Sequence, residues 1–191
     1  DGKVGSISQF GTTSNDEVTG MVSNGSTLLV SGYSLGDFTV SEGESSFDPQ
    51  AVRDSDDVFL LAYDMAGSFE HSVQFGDATL ADISSTSSSL RGVGVVGSTT
   101  SGSFQSDGFQ LAGTDSVLSS ISVADDGLTV QWHKQFGTEF DDRFMDSEVY
   151  ASNKIMSLWE VDYGGNKEYR VTAFSNQGAK LSDTNAAPAS P

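Results

Sequence analysis

The chain reads as short extended runs broken by turns. Within residues 68–76, Phe69, His71, Val73 and Phe75 alternate with polar positions and share one face. Val130, Trp132 and Phe136 do the same within residues 128–137, with Lys134 interrupting. Alternation with a period of two predicts strands, not helices. A turn signal precedes each run: Asp64-Met65-Ala66-Gly67 and Asp125-Asp126-Gly127. Asp and Gly suit tight turns that need φ > 0. Residues 27–33 and 92–98 are apolar at successive positions, which predicts strands packed between neighbours on both faces. Residues 57–63 and 169–174 supply two further strands, and long helical patterns are missing.

These runs recur. Gln-Phe-Gly stands at Gln9-Phe10-Gly11, Gln74-Phe75-Gly76 and Gln135-Phe136-Gly137, copies separated by about sixty residues, a period that marks repeat architectures. Each copy is followed by an acidic or amide residue, at Asn15-Asp16, Asp82 and Asp141-Asp142, and then by an apolar strand. Every unit holds about four strands, the last of which returns to the next Gln-Phe-Gly. The expected fold class is all-β: antiparallel four-stranded blades in a β-propeller-like array of about three repeats. The expected organisation is one β-repeat domain over residues 1–182. Its repeats span about 12–76, 77–137 and 138–182, with an extra N-terminal strand at 3–10. Residues 183–191 read as a linker-like tail.

The quoted segments resemble the β-propeller repeats known as SBBP repeats. That pattern runs Phe-Gly-Gly/Thr, then Asp, then Val-x-Gly-x-Thr-x-Ser-x-x-Phe and Asp-x-Phe-Val. The matching positions are Phe10-Gly11-Thr12 with Asp16, and Val30-Ser31-Gly32-Tyr33-Ser34 with Phe38. They continue with Val96-Gly97-Ser98-Thr99 and Phe104, and with Phe136-Gly137-Thr138 and Asp142. The second repeat departs at Asp77 and in an insertion around 111–122; the third has Glu160-Val161-Asp162-Tyr163 in place of Gly-x-Thr. The resemblance covers about residues 5–182. It implies propeller blades and an extracellular or cell-surface setting, and it carries no catalytic residue to transfer.

Charge narrows the partners. Nine basic residues stand against 27 acidic ones, a net charge of −18. Such a surface repels phosphate backbones and anionic membranes, so neither nucleic acid nor membrane insertion is expected. Cysteine is absent, which excludes disulfides, thiolate metal sites and cysteine nucleophiles. No Gly-Lys-Ser/Thr phosphate loop occurs, and the expectation is no enzymatic activity and no resident cofactor. Calcium is the one candidate cation: Asp48, Asp54, Asp56 and Asp57 lie in an acidic stretch able to offer several oxygens. A solvated loop explains the same stretch. Asp16, Asp82 and Asp142 have two readings as well, an Asx-type turn or backbone hydrogen bond in each blade, or a ring of ligand contacts.

Three blades are too few to close a propeller, which typically uses four to eight. Unpaired edges and an uncovered end face invite pairing. The expected function is therefore a non-enzymatic structural and interaction module that assembles with copies of itself or with other proteins through sheet edges or blade faces. Lys3, Val4, Ile7 and Phe10 of the extra strand are the candidate interaction residues, with Trp159 and Tyr163, whose segment departs from the repeat pattern. The alternative is a carbohydrate-binding domain, possibly calcium-dependent, with Trp159 and Tyr163 stacking on a sugar.

Overall fold

A computed structural model describes residues 10–23, 26–35, 57–75, 80–90, 93–100, 113–124, 127–150 and 154–186. The protein is all-β, with three antiparallel sheets and no helix among the described residues. The first sheet runs β1 (Asp16–Ser23), β2 (Thr27–Ser34), β3 (Asp57–Asp64) and β4 (Phe69–Phe75). The second runs β5 (Leu80–Leu90), β6 (Val93–Thr100), β7 (Asp115–Ala124) and β8 (Gly127–Phe136). The third runs β9 (Asp141–Tyr150), β10 (Lys154–Asp162), β11 (Lys167–Phe174) and β12 (Lys180–Asn185). Each sheet is an antiparallel meander of strands consecutive in the chain. β12 carries residues 183–185 into the stretch read as a tail; those residues pair with β11, Thr172 opposite Asp183 and Arg170 opposite Asn185.

The sheets pack face to face, with β5 beside both β1 and β9, and β4 against β8. One apolar cluster joins Leu29, Val58, Leu60, Val73 and Phe75 of the first sheet to Val117, Ile121 and Leu128 of the second. Another joins Leu118, Trp132 and Phe136 of the second sheet to Phe144, Ile155 and Phe174 of the third. The pleat of β7 explains the division: Val117 and Ile121 point one way, and Leu118 points the other. A third cluster, Val30, Phe59, Leu61 and Tyr63 with Phe10 and Phe69, lies on the far face of the first sheet. The unbroken apolar run of β3 is accordingly buried on both faces.

A repeated β-bulge corrects the reading of the returning strands. In the first sheet Ala62 pairs with His71 and Tyr63 with Phe69, which leaves Glu70 extra. In the second, Ser120 pairs with Trp132 and Ile121 with Val130, which leaves Gln131 extra. In the third, Ala173 pairs with Ser182 and Phe174 with Lys180, which leaves Leu181 extra. One added residue flips the parity of the side chains beyond it. Phe69 therefore packs with Tyr63 on the far face, away from Val73 and Phe75. Likewise Val130 meets the first sheet, and Trp132 and Phe136 meet the third. The residues assigned to one face are shared between two. Thr19 in β1 and Met145 in β9 are also extra, three residues after Asp16 and Asp142 respectively.

Close approach at the second joint depends on Gly97. A Cβ there would overlap the Phe144 ring, and two residues on Thr99 Oγ1 accepts the Phe144 N–H at 2.9 Å. Gly97→Ala should cost roughly 1–3 kcal/mol of stability, the usual penalty of overpacking. Phe144→Leu in the same chain should return part of that loss. Urea unfolding of the two single variants and the double variant measures the coupling, and additive effects would contradict the joint described.

Candidate functional site

The repeated motif residues form braces. Thr12 N and Thr12 Oγ1 donate to Asp16 Oδ2 and Oδ1 at 2.6 and 3.0 Å. Thr138 N donates to Asp142 Oδ2, and Thr138 Oγ1 lies 3.3 and 3.2 Å from the two carboxylate oxygens. In both loops the threonine hydroxyl also accepts a backbone N–H two residues on, from Ser14 at 3.0 Å and Phe140 at 3.2 Å. Both loops are thus closed in the same way, as Asp and Thr side chains close turns generally. The role is the hydrogen-bonding one; the side chain of Asp82 lies outside the described residues.

The glutamine of Gln-Phe-Gly has a fixed role as well. Gln74 Nε2 donates to Asp57 Oδ2 at 3.2 Å, and Gln135 Nε2 donates to Asp115 Oδ2 at 2.7 Å. In each case the end of the fourth strand is tied to the start of the third. Both aspartates are buried, so a donor is needed to offset lost hydration. This pairing was open to sequence reasoning, since both units place Asp at the head of the third strand and Gln near the end of the fourth.

At the joint between the second and third sheets the two braces converge. A Cβ on Gly137 would touch both Asp115 Oδ1 and Asp142 Oδ2. Those oxygens are therefore at most about 5 Å apart, within the ~4–6 Å over which like charges shift each other's titration. Asp142 is fully buried and Asp115 is 2% exposed. Burial pushes the Asp142 carboxyl up to about 6, with Asp115 adding to the rise and Thr138 and Arg170 opposing it. Thr114 fastens the same corner, since its carbonyl accepts the Asp142 N–H at 2.7 Å and its hydroxyl donates to the Asp142 carbonyl at 2.9 Å. Sequence reasoning missed this site, because it depends on a glycine whose lack of a side chain lets two carboxylates from different sheets approach.

The other expected site residues scatter. Lys3, Val4 and Ile7 lie outside the described residues, as do Asp48, Asp54 and Asp56. Phe10 packs edge-on to Phe59 with ring centroids 6.3 Å apart and equally close to Tyr63, so its ring serves this chain's own core. Asp57 is buried in the brace with Gln74, which corrects its placement in a solvated, cation-holding loop. Among the described residues no group of three or more metal-ligating side chains forms. Trp159 is 2% exposed; its Nε1 donates to Thr172 Oγ1 at 3.0 Å and Phe136 packs edge-on at 5.5 Å. It packs in the joint and is closed to solvent. Tyr163 is half-buried and packs edge-to-face on Phe140 at 4.8 Å. Ser119 Oγ sits 2.8 Å from His133 Nδ1, yet Ser119 is buried, so this pair braces the first joint and presents no accessible nucleophile.

The outward face of the third sheet carries exposed apolar side chains. Pairing places Met156, Leu158 and Glu160 of β10 beside Ala173, Val171 and Tyr169 of β11. Met156 and Tyr169 are each 37% exposed. Glu160 accepts from Lys167 Nζ at 2.6 Å, and this contact holds the ammonium above its ordinary range.

If the two glutamine braces are equivalent, Gln74→Leu and Gln135→Leu should each cost about 1–3 kcal/mol, the penalty of leaving a buried carboxylate short of a donor. Chemical unfolding of both variants reads this, and a neutral result at either position would deny that brace its role. Compared with known proteins, the chain matches no family model and no curated protein.

Proposed function

We propose that this chain is a non-enzymatic structural and interaction module, a short array of propeller-like blades of SBBP type. It assembles with copies of itself or with another protein through the outward face of the third sheet. The observation that carries the reading is the recurrence of one bulge. The extra residue falls at Glu70, Gln131 and Leu181, between the third and fourth strands of all three sheets. Bulges at matching places give three sheets of one design, each exposing faces that it cannot bury alone. The Thr–Asp brace recurs in the first and third sheets, and the Asp–Gln brace in the first and second.

Both end sheets expose apolar side chains, Val18 and Met21 on β1 and Met156 and Tyr169 on the third sheet. On the third sheet they flank half-buried Leu158 and Val171, which makes a continuous apolar row. Exposed apolar side chains clustered within a polar surround suit a protein–protein contact. Carbohydrate recognition has less support, because Trp159 is buried and the Phe140–Tyr163 pair meets edge-to-face instead of offering a flat platform. An extracellular or cell-surface setting accompanies the resemblance.

Sedimentation velocity over a concentration series tests the assembly. The wild-type chain should associate, and Met156→Glu with Tyr169→Glu should abolish association while leaving the unfolding free energy within roughly 0.5 kcal/mol of the wild type, as exposed substitutions do. A wild-type chain that stays monomeric at high concentration and gains mass with no partner would sink the proposal.

A further inference from the structure

The Asp115–Asp142 pair sits at a corner where carboxylates from the second and third sheets meet. Gly137 separates them only by what it lacks. Around Asp142 the charged neighbours can be named element by element. β7 offers Asp115, and β11 offers Arg170, whose charge reaches Asp142. On β10, Val161 pairs with Asp142; of its neighbours, Glu160 is held by Lys167 and Asp162 by the Gly165 N–H. Adjacent Asp141 accepts from Thr114 N at 3.2 Å. The described side chains of β6, Gly97 and Thr99, carry no charge. Asp82 of β5 lies outside the described side chains.

We propose that Asp115 and Asp142 form a proton-operated latch: with one proton on the pair the second and third sheets are held together, and loss of that proton puts two like charges into the joint and loosens it. The surroundings favour this over a permanently ionised pair. Both groups are buried, so each carboxylate pays a desolvation cost that a proton removes. Gln135 donates to Asp115 and Thr138 to Asp142, and at Asp142 burial outweighs what the Thr138 donors do for the charged form. The fastening that a second charge would load is Thr114, whose carbonyl accepts the Asp142 N–H and whose hydroxyl donates to the Asp142 carbonyl.

The direction of the pH effect follows from linkage. Asp142 binds its proton more tightly in the folded protein, at about 6 against an ordinary 3.8. Between those values the folded state holds the proton and the unfolded state does not, so stability falls as pH rises through the window. It is greatest below pH 4 as far as this group is concerned, and flat above pH 6. The folding equilibrium constant should drop by a factor on the order of 10–100 across the window.

The experiment is urea unfolding of the whole chain from pH 4 to pH 8, with Asp142→Asn and Asp115→Asn alongside. Asparagine keeps a carbonyl to accept from Thr138, so the Asp142→Asn loop retains its closure. The wild-type chain should lose stability from pH 4 to pH 6, Asp142→Asn should be flat there and more stable above it, and Asp115→Asn should move the loss to lower pH. Carbon-13 titration of the wild-type Asp142 carboxyl needs no variant and should give a midpoint near 6. Exchange of the Asp142 amide, corrected for intrinsic rate, should quicken over the same range. A midpoint near 4, or an unchanged wild-type slope in both variants, overturns the latch. These readouts concern the joint inside one chain, so they stand or fall independently of assembly.

Discussion

A four-stranded sheet can satisfy its own backbone hydrogen bonds but cannot bury its own faces. Everything else in this chain follows from that inequality. The second sheet lies between the other two, and both of its sides must be apolar with only 36% hydrophobic residues to draw on. The pleat of β7 solves half of the problem by sending Val117 and Ile121 to one neighbour and Leu118 to the other. The bulge at Gln131 solves the rest, since it lets one strand supply Leu128 and Val130 to the first sheet and Trp132 and Phe136 to the third. A buried side chain of this size contributes roughly 1.5–3 kcal/mol, so a parity switch that places two more on the needed face is a large local effect.

The abundance of serine and glycine has the same origin. Ser31, Ser72, Ser119, Ser120 and Ser157 are buried in strand interiors. Small residues let sheets approach, and Gly97 beneath Phe144 shows how closely. What the sheets lose in apolar bulk they recover in hydrogen bonds that tie one to the next, as Thr99 does to Phe144 and Thr114 to Asp142. Such polar fastenings are directional, so they fix the relative setting of two faces that apolar contact alone would leave free to slide.

Much of the fold was legible because turn chemistry and strand alternation are local. The strands at 57–63 and 169–174 and the turn at Asp64 needed no knowledge of distant residues. The bulges did not show, because an extra residue in a strand looks like any other until the partner strand's register is known. Thus Phe69 and Val73 read as one face and are two. Buried Trp159 misled for a related reason: its segment departs from the repeat pattern, and departure suggested exposure. The ring in fact fills the second joint, where Thr172 and Phe136 meet it. The carboxylate pair was invisible because Asp115 and Asp142 become neighbours only when two sheets stack across Gly137.

On the proposed reading, the charge distribution constrains how copies would meet. Residues 141–191 hold Arg143, Lys154, Lys167, Arg170 and Lys180, five of the nine basic residues, against eight of the 27 acidic ones. The first two sheets and their connections therefore carry most of the net −18. Two copies meeting through the same acidic region would set like charge on like. Residues 141–191 are themselves only net −3 (5 − 8), so meeting through the third sheet opposes far less like charge, a difference felt over about 8–10 Å at ordinary ionic strength. A third sheet that docks on a different patch of its neighbour makes a heterologous contact, which either closes into a ring or continues as a filament. Three sheets of one design stacked in series already follow that logic inside the chain, each offering one face to the sheet before it and the other to the sheet after.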